Sequence, residues 1–213
     1  GVVIRSKSQI RYFVGDDAKA SADSIGIIGG MTSTSGSIGW EFGELLGIRA
    51  SCCESGYVGT TELVLHGDFD GNVYQEEIGT SFDGADIVSI YATPYLDFGE
   101  TEQRKVMRKI NTFIRAEGPL EMLLSMTYDW GDGDVSTPAT YSQTSTGAPT
   151  KYSGRNINYA ASNVLYGGSS KPIMTSDIQG SGFSAQATFV TVGQTEPHSI
   201  QGMVFEFTAA GRR

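Results

Sequence analysis

Four short runs, "SQIRYFV" (8–14), "TELVLH" (61–66), "FSAQATFV" (183–190) and "MVFEF" (203–207), alternate apolar with polar residues. A period of two sends successive side chains to opposite faces of an extended chain, so each run suits a half-buried strand and misfits a helix. The spacers between such runs are rich in Gly, Ser and Thr. The 213 residues hold 28 glycines and only 6 prolines, without a collagen-like repeat. That combination predicts a turn-rich, all-β protein, long enough for one large unit or two smaller ones.

Along the chain the expected strands fall into two groups. The first covers residues 1–82. It has a strand at 8–14 and a long exposed loop at 15–37, where Gly, Ser, Asp and Thr dominate. Three strand-like runs follow, "LGIRASCCES", "TTELVLHG" and "NVYQEEI", separated by "GYVG" and "DFDG". With the first strand they make four antiparallel segments, the size of one propeller blade. The second group, residues 83–213, opens with "ADIVSIYATPYL", whose Pro94 lies near the strand end as a strand proline should. In "INTFIRAEGPLEMLLSMTYDW" a hairpin turning at Glu117-Gly118-Pro119 competes with a helix carrying Val106, Met107, Ile110, Phe113 and Ile114. The clustering of β-branched and aromatic residues favours strands. A polar stretch from Gly131 to about 170 carries Tyr141, Tyr152, Tyr159 and Tyr166, and the strands "GFSAQATFVTV" and "SIQGMVFEFTA" close the chain. The second group predicts a β-sandwich.

The charge balance narrows the partners. Against 24 Asp and Glu stand 15 Lys and Arg, a formal charge of −9. Such a chain repels nucleic acid and anionic lipid on average. Cys52 and Cys53 are adjacent, so two thiols on opposite sides of a strand are expected rather than a disulfide. Their spacing fits no metal site, and synthesis in a reducing cytoplasm is the natural reading. No signal peptide or membrane-spanning apolar run stands out. The direct opening into "VVIRSKSQIRYFV" suits the C-terminal portion of a longer protein.

Three stretches carry candidate chemistry. In "HGDFDGN", Asp68, Asp70 and Asn72 alternate as calcium ligands do, but the Gly is misplaced for an EF-hand and the distal Glu is lacking. An Asp-Gly turn between two strands explains the same residues. The loop "DWGDGD" places Asp129, Asp132 and Asp134 together. It reads as a solvated acidic turn, with a hard-cation site or half of a glycosidase pair as alternatives. The run "RKVMRK", with Arg104, Lys105, Arg108 and Lys109, is expected on a strand. Its cations are either snorkelling on the wet face or pairing with a neighbouring subunit, as the terminal Arg212 and Arg213 would; contact with DNA phosphates is the third reading. His66 ends a strand beside its turn and His198 follows Pro197 in another; both are read as ordinary turn residues, and neither a nucleophile elbow nor a phosphate loop accompanies them. No catalytic residue, cofactor or metal is assigned.

Two passages resemble a known family. "LVLHGDFDGNVYQEEIGTSFDGADIVSIYATPYLDFGETEQRKVMRKI" (63–110) is similar to a passage of large virion proteins of tailed phages, where a strand ends in Thr-Pro-Tyr-Leu before an Arg/Lys-rich strand. "DIQGSGFSAQATFVTVGQTEPHSIQGMVFEFTAAGRR" (177–213) looks like the C-terminal end of the same proteins, with its Gly-Ser-Gly-Phe and Ile-Gln-Gly strand entries and its closing Gly-Arg-Arg. The family is the tail-nozzle, or packaged-DNA stabilisation, proteins of short-tailed phages. The likeness covers most of residues 46–213 and is weak over 15–37 and 135–170.

The resemblance implies a structural, non-enzymatic tail component located in the virion. It implies a propeller joined to a sandwich, assembled as a ring of copies (a hexamer being one such ring) with other tail proteins around the DNA channel. Asp129, Asp132 and Asp134 would then face the channel, with neither tight nucleic-acid binding nor membrane insertion. The chain departs from the family in having strands for about one blade, where a propeller needs several. A carbohydrate-binding or glycan-hydrolysing β-sandwich for host attachment is the alternative, with the tyrosines and "DWGDGD" as its sugar site.

Overall fold

The computed structural model describes residues 1–14, 25–34, 37–116, 120–145, 173–194 and 197–212. It is all-β and built from antiparallel sheets. Helix among the described residues is confined to single 3-10 turns at Arg5–Lys7 and Asp129–Gly131. The chain divides into two compact units, Gly1–Phe82 and Asp83–Arg213.

The first unit holds two sheets. Strands β1 (Val2–Ile4), β2 (Gln9–Val14), β3 (Ile25–Thr34) and β4 (Ser37–Leu45) pair in chain order. Strands β5 (Cys52–Val58), β6 (Thr61–Gly67) and β7 (Val73–Gln75) form a second, three-stranded sheet. The four segments expected to share one sheet are therefore divided, since β2 pairs with β1 and β3 and not with β5 to β7. The expected loop at 15–37 contains β3 and the start of β4; its remainder, 15–24 and 35–36, lies outside the described residues. Glycine misled here. Gly29 sits in β3 because the Phe42 ring of β4 lies across it, and a Cβ there would meet that ring at 2.8 Å. A glycine-rich strand is possible where a large neighbouring side chain fills the space. Val2, Ile4 and Val64 are buried together, with Phe13 and Cys53 packed against them, so both sheets contribute to one small core. Cys52 is exposed, Cys53 is half-buried, and both are free thiols.

The second unit also holds two sheets. Its strands are β8 (Ile87–Ala92), β9 (Gln103–Ala116), β10 (Leu120–Tyr128), β11 (Tyr141–Ser145), β12 (Ile173–Asp177), β13 (Ser181–Gly182), β14 (Ala185–Gly193) and β15 (His198–Arg212). One sheet has the order β11-β10-β14-β8; in the other, β9 is flanked by β12 and β13 on one side and by β15 on the other. The expected β9–β10 hairpin is thus a crossing from one sheet to the other, and residues 117–119 of its turn lie outside the described residues. Strand β10 alternates buried and exposed almost without interruption. Its Leu120, Met122, Leu124 and Met126 meet Ile110 and Ile114 of β9 and Ala187 and Phe189 of β14 in one continuous core. Burying each of Ile110, Leu124, Met126 and Phe189, all 2% exposed or less, stabilises the fold by about 1.5–3 kcal/mol. His66 lies near the end of β6 beside the turn, and His198 opens β15 instead of lying in a turn.

The pairing of β9 with β15 slips inside the basic run, and the slip between Lys109 and Met107 puts one extra residue on β9. Glu206 faces Lys109 and Phe207 faces Met107, leaving Arg108 as the extra residue of a bulge. A bulge of one residue reverses which face every later side chain takes. Ile110, Thr112 and Ile114 point inward beyond it, and Lys105 and Met107 point inward before it. Without the bulge Lys105 would lie on the outer face.

Candidate assembly surfaces and the residues around them

Of the basic run, Lys105 is spent on the inside of the second unit, and the other three cations stay half-buried or exposed. Lys105 is 1% exposed, and its Nζ donates to the carbonyl oxygens of Phe183, at 3.0 Å, and Glu100. It is neither a snorkelling residue nor an exposed subunit contact. Arg104 donates from Nε to Ser181 Oγ at 3.0 Å and from a terminal nitrogen to the Ser181 carbonyl at 3.2 Å, with its guanidinium over the Phe183 ring. Lys109 lies 3.7 Å from Asp177. Arg108, on the bulge, is the exposed member of the run and reaches Thr208 Oγ1 at 3.3 Å. Arg212 ends β15 opposite Gln103, and Arg213 lies outside the described residues.

The same short stretch, Gly180-Ser181-Gly182-Phe183, collects these contacts. Gly180 has φ +115, and a Cβ on it would lie 2.3 Å from the Tyr128 ring. Gly182 is equally confined, with Asp129 Oδ1 at 2.9 Å and the Ser184 carbonyl at 2.8 Å from a Cβ there. Tyr128 donates its hydroxyl proton to the Gln179 carbonyl at 2.6 Å. Burial, reinforced by nearby Tyr141, pushes that phenol's pKa upward.

Of the three acidic-loop residues, Asp129 is half-buried, and its Oδ1 accepts from the Phe183 and Ser184 backbone N–H groups at 2.6 and 3.1 Å. Asp132 and Asp134 are exposed, and Asp132 Oδ1 accepts from the Asp134 N–H at 3.1 Å. The turn between them is strained. Asp129 and Trp130 take φ values of 49° and 64°, each costing about 1–2 kcal/mol for a residue with a Cβ. The result is a Trp130 side chain that is 76% exposed, with its ring 4.8 Å from that of Tyr95. The expected sugar site drew on the tyrosines; Tyr141 lies in β11, and Tyr152, Tyr159 and Tyr166 lie outside the described residues. The exposed aromatic was the tryptophan between two acids.

In the first unit, Asp68 holds the β6–β7 turn. Its carboxylate accepts from the Asp70 and Asn72 N–H groups at 2.8 and 2.9 Å, from Asn72 Nδ2 at 3.0 Å and from the Tyr74 hydroxyl at 3.3 Å. Gly71 supplies the left-handed residue at φ +89. The Asn72 amide, more than any other donor, holds the carboxyl down to about 2 against the opposing effect of desolvation. Asp70 turns away to Arg49 at 3.2 Å. Among the described residues, no three His, Cys, Asp or Glu side chains are grouped to hold a metal ion.

Beside that turn lies a buried ionic cluster that sequence reading missed. Arg11, on the inner face of β2, pairs with both Glu76 and Glu77, and Lys7 also reaches Glu77. Burial alone would raise the Glu77 pKa; the bond from Lys7 and the Arg11 charge overcome this and lower it. His66 stacks on Tyr74 with ring centroids 5.2 Å apart and places Nδ1 3.1 Å from Glu76 Oε1. Only the alternation of "QIRYFV", which puts Arg11 opposite Tyr12, hinted that an arginine would be turned inward.

Tyr12 leads to the most exposed apolar surface. Directly opposed residues of antiparallel strands share a face, and Tyr12 opposes Ile27, Met31 opposes Trp40, and Gly29 opposes Phe42. One face of the β1–β4 sheet therefore carries Tyr12 and Val14 from β2, Ile27 and Met31 from β3, and Ile38, Trp40 and Phe42 from β4, with Val3 at its edge. All are 44% to 71% exposed. The Trp40 and Phe42 rings stack at 6.2 Å. Glu44 is the one charged residue whose strand position falls on this face among the described residues. The opposite face carries Val2, Ile4 and Arg11, which are buried. A smaller patch in the second unit joins Val88, Ile90, Val192 and Leu123 on the outside of its sheet.

Compared with known proteins, the chain matches no family model and no curated sequence.

Proposed function

We propose that this chain is a structural component of a phage tail, working by contact with other protein chains around the DNA channel. The observation that carries this reading is the apolar face of the β1–β4 sheet. A soluble surface rarely presents so many large apolar side chains together unless something covers them, and sheet faces of this kind meet other sheets. In the same reading the first unit's strands are blade-like pieces of a propeller, and the second unit is a β-sandwich. The core shared by the two sheets of the second unit supports the latter. The Gly-Ser-Gly-Phe stretch, prominent in the family resemblance, is an internal hub, as expected of an architectural motif. Other copies of the chain and further tail proteins are the partners, and no catalytic step is assigned. Electron microscopy of intact particles tests the proposal: density for this chain in the tail supports it, and its absence from the particle overturns it.

The alternative of glycan binding draws on one observation, Trp130 held out beside Tyr95 with Asp132 and Asp134 following. An aromatic face next to carboxylates suits a sugar ring. Titration of the chain with host-surface polysaccharide, read by tryptophan fluorescence and repeated on Trp130→Ala, decides this reading. A saturable change lost in the variant supports it, and an unchanged spectrum rejects it.

A further inference from the structure

We infer that the apolar face of the β1–β4 sheet is a two-fold contact between copies of this chain, packed face to face. The inference rests on the reading of that face as a protein contact surface and names its occupant.

Three observations point to a second copy. The first is area. Exposures of 44% to 71% on side chains of roughly 150–250 Å² each give on the order of 800 Å² of apolar surface. A stable two-chain interface needs about 800 Å² from each partner. The face is thus the right size to be matched by one copy of itself. The second is charge. The chain carries −9 overall, so two copies repel each other across most of their surfaces. Among the described residues this face carries a single charge, Glu44 at one end of β4, with Arg11 turned to the opposite side. Two copies meet there at the least electrostatic cost.

The third is shape. A two-fold contact must be self-complementary. On this face β3 alternates Ile27 and Met31 with Gly29, whose space the Phe42 ring of the same chain already fills, and with the small Ser33, while β4 presents Ile38 and Trp40 beside them. Turned through a two-fold axis, Ile38 and Trp40 of β4 lie over the lower relief at Ser33 of the partner's β3, as facing sheets interdigitate about 10 Å apart.

Sedimentation velocity and light scattering on the whole chain test this, with Ile38→Lys/Trp40→Lys as the comparison. Both residues are exposed, so the variant should keep the far-ultraviolet circular dichroism spectrum of the parent. The expected result is a mass moving toward twice 22.8 kDa at concentrations on the order of 10 µM, with the variant remaining at the single-chain mass. A single-chain mass for the parent at every concentration overturns the inference. So does a dimer that survives in the variant, or a ring or open series of larger species. The two readings fail separately. A dimer of a chain that is absent from particles leaves the pairing standing and removes the tail reading. A monomer whose Lys variant is excluded from particles does the reverse.

Discussion

Lys105 donates from Nζ to the Phe183 carbonyl oxygen at 3.0 Å across 78 residues of sequence. This bond ties the basic strand to the Gly-Ser-Gly-Phe stretch from inside the fold. Lys105→Met keeps most of the volume and removes the buried charge, but it leaves two backbone carbonyls without their donor. The expected cost is about 1–3 kcal/mol, read as a lower urea midpoint. Arg108→Ala, on the exposed bulge, should stay within about 0.5 kcal/mol of the parent. Equal effects at the two positions would mean that Lys105 does not act through those carbonyls.

The contrast between these cations shows where sequence reading stops. Strands β2, β6 and β14 were legible because each turns one face inward, and burial imposes a period of two. Strand β15 alternates half-buried with exposed residues over 203–206, and β10 was favoured over a helix by the β-branched and aromatic residues around its turn. A bulge has no such signature. The slip at Arg108 depends on what Glu206 and Phe207 do on the partner strand, almost a hundred residues away, and it decides whether Lys105 is wet or buried. Strand β3 was hidden for a related reason, since its glycines make room for Phe42 of another strand. The Asp68 turn was legible because its hydrogen bonds close within the seven residues from Asp68 to Tyr74. Arg11, Glu76 and His66 come together only through tertiary pairing, so no local pattern announced them.

Asp68 gives a pH dependence of known sign. Its carboxyl falls from an ordinary 3.8 to about 2 in the folded chain, so the folded state favours the ionised form. The stability it contributes is complete above the unfolded value and disappears as the pH drops from about 4 to about 2. Asp68→Asn should lower the denaturation midpoint at about pH 5 and have a much smaller effect at about pH 2. A constant difference between parent and variant across that range would show that the carboxylate charge is not what holds the turn.

Gly180 has no substitute. Alanine there combines a left-handed backbone at φ +115 with a Cβ 2.3 Å from the Tyr128 ring. Since that ring is anchored to the Gln179 carbonyl and cannot easily yield, Gly180→Ala should cost about 2 kcal/mol or more. At Gly202 nothing lies within 4 Å of a built Cβ, and Gly202→Ala should leave the melting temperature nearly unchanged. Thermal denaturation of the two variants side by side provides the comparison.

The buried cluster of the first unit should behave as a unit. Arg11 and Glu76 have side chains 10% and 4% exposed, so removing the arginine leaves carboxylates uncompensated away from water. Arg11→Met is expected to cost about 3–5 kcal/mol. Adding Glu76→Gln should recover part of that loss instead of deepening it. A double variant whose losses simply add would show that the two groups are not coupled.

The placement of the basic run also bears on DNA. Each cation set against a phosphate releases counterions and adds affinity, so a channel lined with them would slow a passing genome. In this chain Arg104 is engaged by Ser181, Lys105 is buried, and Lys109 faces Asp177, which leaves Arg108 as the exposed cation of the run. Arg108 alone cannot supply the several phosphate contacts of ordinary non-specific binding, and the net charge of −9 opposes recruitment of the scattered exposed cations Arg5, Lys7 and Arg115. An anisotropy titration with duplex DNA at physiological salt should therefore show binding weaker than the usual non-specific range of about 10⁻⁴ to 10⁻⁶ M. Lowering the salt should add little affinity, because few counterions are available to be released. Micromolar binding that falls steeply with salt and is lost in Arg108→Ala would place the bulge of β9 against the nucleic acid and reverse the orientation proposed for the acidic residues Asp132 and Asp134.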